Sequence, residues 1–159
     1  MVDEHGEAIG TATRAACHAD PSLVHLSLHV IVRADDGLLW QLRGPYKDSA
    51  PNAWDHACSG HVAAGERVRE SAVRELAEEI GIDVAESDLV ELARVRCGLD
   101  GETELTTVFR LRHDGPFRLS PPELAGLAVL PTGERPAPMS QSCALLTELL
   151  DAEHPGWDR

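Results

Sequence analysis

Three glutamates, Glu75, Glu78 and Glu79, stand at positions i, i+3 and i+4. On a helix that spacing projects their carboxylates from one face, within about 6 Å of one another. Unscreened, each like-charged pair costs a helix roughly a few tenths of a kcal/mol, which a bound cation would offset. Carboxylate oxygens are the ligands that magnesium and manganese prefer, so the chemistry suited to this cluster is that of a divalent ion. An acidic chain can also carry such a cluster as a solvated helix face; the residues around it decide between the two.

The elements that must position these groups are legible in outline. Val73, Leu76, Ala77 and Ile80 recur at helical spacing, and Gly81 follows where a left-handed C-terminal cap is common, which predicts a helix over residues 70–80. Val24, Leu26, Leu28, Val30 and Val32 alternate with His25, Ser27, His29 and Ile31, a strand pattern with His25 on its polar face. Asp35, Asp36 and Gly37 make a turn, and residues 38–43 read as the returning strand. Strand-like runs follow at 89–96 and 105–111. After a Pro-rich connector at 131–138, an amphipathic helix at 143–150 carries Leu145, Leu146, Leu149 and Leu150. Strands interleaved with two or three helices predict an α/β (α+β) fold, a mixed sheet with helices packed on it. The 159 residues suit one domain, 1–159.

Composition sets limits. The formal net charge of -13 argues against nucleic-acid or membrane-surface binding, both of which use Lys and Arg to neutralise phosphates. An acidic protein that handles phosphate needs a metal between them. Neither a basic leader with an apolar run nor a stretch of spanning length is read, so the cytoplasm is the expected location. Cys17, Cys58, Cys97 and Cys143 form no CxxC pair, as expected of a reduced protein without a cysteine zinc site. Aromatic residues make up 4% of the chain, so a base-stacking pocket would have few rings beyond Tyr46 and Trp54.

Outward from the cluster, Gly60 is followed by five residues and Glu66, then by seven residues and Arg74, Glu75, Leu76, Ala77, Glu78, Glu79, Ile80, Gly81 and Ile82. This spacing fits GX5EX7REUXEEXGU, with U aliphatic, at every specified position. The segment resembles the Nudix box, and the chain is identified as a member of the Nudix superfamily. The resemblance implies a mixed β-sheet sandwiched between α-helices, the box forming loop, helix and loop. It implies that Glu78 and Glu79 hold Mg2+ or Mn2+, that Arg74 pairs with Glu66 to fix the loop, and that Glu75 is a further ligand or the base. Gly60, at the head of the box, is counted with the substrate-binding residues. The implied reaction is hydrolysis of a small-molecule diphosphate, the ion offsetting charge and acidifying the attacking water. A homodimer is common in such a family.

Residues 2–112 are also similar to a narrower relative, type I isopentenyl diphosphate isomerase. His18, His25 and His61 match its metal histidines, and Glu102 and Glu104 fall where it places two acidic ligands. Three imidazoles and two carboxylates would suit a second divalent ion. Arg43 and Lys47, the only lysine, precede Pro51 and Trp54 as in its pattern RxxxKxxxPxxW, where the two basic groups grip diphosphate oxygens. Three departures separate the chain from isomerisation. The isomerase's cysteine before Gly60 is replaced by Ser59, and Cys58 next to it would face the opposite way on an extended chain. Glu75 and Glu78 are acidic where the isomerase helix is not, and Pro138-Met139 replaces a later Pro-Trp. Hydrolysis is therefore expected, with isomerisation and a catalytically silent diphosphate-binding regulatory domain as alternatives. Nucleoside diphosphate derivatives, prenyl diphosphates and damaged nucleotides stay open as substrates.

Overall fold

The computed structural model describes residues 1–3, 5–99 and 101–158. A short helix α1 (Arg14–Ala19), capped by the Thr13 hydroxyl, leads into the central strand β1 (His25–Ala34). The Asp35–Gly37 turn returns the chain as β2 (Gly37–Arg43). Two short strands follow, β3 (Trp54–His56) and β4 (Cys58–His61). Helix α2 (Val68–Ile80) then carries the three glutamates and ends on Gly81 in the left-handed region, φ 69°, as the sequence predicts. The hairpin β5 (Val90–Leu99) and β6 (Glu102–Arg112) precedes β7 (Leu124–Leu130) and helix α3 (Gln141–Glu153). Among the described residues no helix is long and apolar enough to cross a membrane.

All seven strands join one mixed sheet, in which β1 and β6 run parallel and the other pairs are antiparallel. The pairing contains a fork. Val32 of β1 pairs with Leu39 of β2, but Val30 pairs instead with Cys58 of β4 on that same edge. Correspondingly, Leu39 faces β1 while Gln41 faces Asp55 of β3. Past Val32 and Leu39, therefore, β1 and β2 part, and β3 and β4 line the two sides of the gap. Ala57, fully buried, is the single residue between them.

Each face of the sheet is covered. Leu28, Val30, Val32, Phe109 and Leu111 pack with Leu76 and Ile80 of α2. Ile31, Trp40 and Val108 pack with Cys143, Leu146 and Leu150 of α3. The polar side of β1 expected from the alternation is not left open to solvent. Ser27 and His29 are buried there along with Ile31, which packs against Cys143, Leu146 and Leu150 of α3. A buried strand polar group needs an internal partner, and these groups find theirs in the site.

Candidate active site

The fork opens into a cleft of about 560 Å3. Groups from both faces of the sheet reach it, because the missing strand pairing leaves a passage between them. From the α2 face come Glu75, Glu78 and Glu79; from the other come His18, His61, Glu102 and Glu104.

On the α2 side Glu79 is buried, and its Oε2 receives the Ser59 backbone N–H and the Gln41 side-chain amide, each at 3.4 Å. Burial pushes its carboxyl up to about 7, with Lys47 opposing the shift. Glu75 is also raised, by burial first, against the pull of Arg74. Arg74 grips Glu66 with two nitrogens, both at 3.1 Å, and its Nη1 donates to Glu75 at 2.8 Å and Glu78 at 3.0 Å. One guanidinium thus anchors the loop before the helix and neutralises part of the carboxylate cluster. Gly60 lies against this group: a Cβ there would sit 2.9 Å from the carboxyl carbon of Glu75. Glu78 is mostly exposed at the rim.

On the opposite side, strand register aligns the second set. His25 stands beside Glu104 in the parallel ladder, and His61 is opposite Ser27. His18 from α1 lies 3.1 Å from Glu102, and His61 lies 2.9 Å from Glu104. One ligand atom each from His18, His25, His61 and Glu102 fall within 4.8 Å of one another. Both ring nitrogens of His25 and Oε2 of Glu102 are buried without a hydrogen-bond partner. Burial alone would raise Glu104, but the His25 and His61 imidazoles hold it well below the usual carboxylate range. Converging imidazole nitrogens and carboxylate oxygens with unmet bonding capacity fit a divalent cation.

The basic residues are already engaged. Arg43 Nη1 donates to Asp55 at 3.2 Å, and its Nη2 donates to the Ser49 carbonyl at 3.0 Å. Lys47 Nζ donates to Glu123 at 2.5 Å and lies 4.0 Å from Glu79. Both line the cleft, whereas Trp54 does not: it packs on the α3-side core. The structure therefore does not bring Trp54 together with the other expected substrate-binding residues. Strand alternation puts it on the side of Trp40 and His56, with only Asp55 between them turned toward Gln41.

Sequence reasoning passed over Asp55, which is the hub of the fork. It accepts from Arg43, from Ser59 Oγ at 3.4 Å, from Ser140 Oγ at 3.1 Å and from the His56 N–H at 2.9 Å. His29 lies 3.4 Å from it and shares a 3.0 Å Nδ1 contact with His56. Burial lowers both imidazoles, His56 to about 3, so they are neutral at pH 7. The available signal was Gln41, polar within the apolar run 38–42; Asp55, in a strand of three residues, carried none. Asp55→Asn, which leaves the Arg43 charge without its partner, is expected to lower stability by about 1–3 kcal/mol in urea unfolding. Wild-type stability would remove Asp55 from this role.

A family model described as NUDIX domain matches residues 24–142. The chain belongs to the Nudix family. It is 33% identical to an isopentenyl-diphosphate Delta-isomerase of Streptomyces coelicolor, over 98% of this chain and 82% of that protein. It is 36% identical to an uncharacterized Nudix hydrolase of Clostridium acetobutylicum, over 60% of this chain and 48% of that one. The chain spans about half the length of several such curated relatives. Among solved structures, a protein of Deinococcus radiodurans superposes with TM-score 0.71 at 23% identity, covering 93% of this chain and 95% of that one. A MutT NUDIX hydrolase from Burkholderia pseudomallei gives 0.69 at 20% identity, covering 79% and 97%. These two likenesses establish the Nudix fold, the mixed sheet between helices.

Proposed function

We propose that this chain is a divalent-metal-dependent Nudix hydrolase, cleaving the diphosphate linkage of a small organic or nucleoside diphosphate derivative by attack of water on phosphorus. The observation that carries the reading is the composition of the cleft wall at the head of the box. Ser59 faces the cleft beside three acidic side chains of α2, while Cys17, Cys58, Cys97 and Cys143 are all buried and line none of it. Protonating and deprotonating carbon in the manner implied by the isomerase likeness calls for a thiol at that position, and burial beside Glu79 drives the Cys58 thiol further from ionising. Water attack on phosphorus calls for carboxylates.

Held by Glu75, Glu78 and Glu79, a magnesium or manganese ion supplies charge that offsets the diphosphate and lowers the pKa of water. Arg74 holds Glu75 and Glu78 in place for that task, and one of the three carboxylates takes the water's proton. Arg43 and Lys47 meet diphosphate oxygens by exchanging their contacts with Ser49 and Glu123 for the substrate. His18, His25, His61, Glu102 and Glu104 would hold a second ion on the far wall. The isomerase reading is kept as the alternative because the near full-length relative bears that name.

The deciding measurement is a diphosphate panel assayed with magnesium and with manganese for phosphate or monophosphate release. Conversion of isopentenyl to dimethylallyl diphosphate without such release would overturn hydrolysis, and saturable binding without turnover would point to a regulatory domain. Calorimetric titration of metal-free protein with manganese should resolve two sites, the His25→Ala protein losing one of them. A single site unaffected by that substitution would leave the histidine cluster without an ion.

A further inference from the structure

We infer that the organic group carried on the diphosphate is a small polyhydroxylated one, a sugar or polyol, received by the wall of Ser49, Gln141 and Ser142. The inference rests on the hydrolase reading of the cleft and adds the substrate class. Apart from the two metal-ligand clusters and the basic pair, the loop between β2 and β3 and the start of α3 bring Ser49, Gln141 and Ser142 to the lining, beside the charged Arg14, Asp48 and Glu123. Gln141, exposed, and Ser142 stand in the first turn of α3, while the buried Ser140 at its N-cap already donates to Asp55 and accepts from the Cys143 N–H. Ser49 stands on the loop between β2 and β3, where its hydroxyl accepts from Arg43 at 3.1 Å.

Serine hydroxyls and a glutamine amide each both donate and accept, which is what a vicinal polyol requires of its surroundings. A prenyl chain calls for aliphatic side chains to pack on, and the lining has few: Leu28 is fully buried, leaving Ala50 and Pro122. Laid over the serines, a hydrocarbon would strip them of water and give no hydrogen bond in return. A nucleobase requires a ring to stack on, and the only large aromatic ring in the lining is Tyr46, 86% exposed at the mouth. A site made to bond hydroxyls discriminates strongly against analogues that lack them.

The test separates binding from turnover. Non-hydrolysable methylene-bisphosphonate analogues bearing a ribosyl, an isopentenyl or an adenosyl group are titrated calorimetrically into the magnesium-loaded protein. The ribosyl analogue is expected to bind at least about tenfold more tightly than the isopentenyl and adenosyl ones. Gln141→Ala with Ser142→Ala is expected to erase that preference. Equal or tighter binding of the isopentenyl or adenosyl analogue overturns the inference, as does failure of all three to bind better than methylenebisphosphonate alone. Phosphate release from the hydrolysable ribosyl diphosphate is measured in parallel. Preferential binding without release defeats the hydrolase reading and leaves the ligand class standing; release without preference does the reverse.

Discussion

Glu79→Gln is expected to reduce turnover by roughly three orders of magnitude while making the metal-free protein more stable at pH 8. The two effects share one cause. Glu79 is 5% exposed, and burial raises its folded-state pKa to about 7 from an ordinary 4.5. Between those values the folded protein retains a proton that the unfolded chain has released, so stability falls as pH rises through this window. Above pH 7 the whole penalty is present, on the order of 3–4 kcal/mol at ~1.4 kcal/mol per unit. Glutamine carries no charge to bury and can still accept from Gln41 and Ser59. Its stabilising effect should be present at pH 8 and shrink toward pH 5. Thermal unfolding of chelator-treated wild type and variant at the two pH values measures this, and steady-state phosphate release measures the other half. Equal stabilities at pH 8 would contradict the buried carboxylate, and preserved turnover would remove Glu79 from the chemistry.

Gly60→Ala should lower kcat by about 10- to 100-fold with little loss of stability. Gly60 lies in β4, where an alanine backbone is acceptable, but the added methyl would approach the Glu75 carboxyl at 2.9–3.1 Å. Glu75 would have to move, and displacement of a reacting group by even about 1 Å can cost 10²-fold. Combining Gly60→Ala with Glu75→Asp, which shortens the clashing side chain, should recover part of the rate if crowding is the cause. Loss of folding in the single variant, or unchanged kcat, would contradict this reading.

The carboxylate helix was legible because its groups lie within one element: periodicity, cap and spacing are local properties, and α2 has all three. The hairpin of β1 and β2 was legible for the same reason. β3 and β4, of three and four residues, were not, since their identity comes from the strands they border and no alternation can be read in so few positions. β7 was not read either, its short apolar run showing no alternation to mark a strand. The same limit applies to the site. Asp55 meets Arg43, Ser59 and Ser140 through long-range pairing that one sequence does not display, and the PxxW pattern that marked Trp54 says nothing of which face it occupies. For His25, His61 and Glu104, the sequence named the residues, but only the registers of β1, β4 and β6 place them side by side.

The fork also has a bearing on how such a protein can change. Because β3 and β4 are joined through Ala57 alone, losing or gaining one residue between Trp54 and His61 would shift two ladders at once, so this stretch tolerates exchange of side chains but not of length. The segment 44–53, carrying Tyr46, Lys47 and Ser49, is a loop between β2 and β3 outside every strand. Its length and composition can drift without disturbing either register. Provided Lys47 is kept, what the cleft accepts can therefore change, or be grafted, one loop at a time over an unchanged carboxylate cluster.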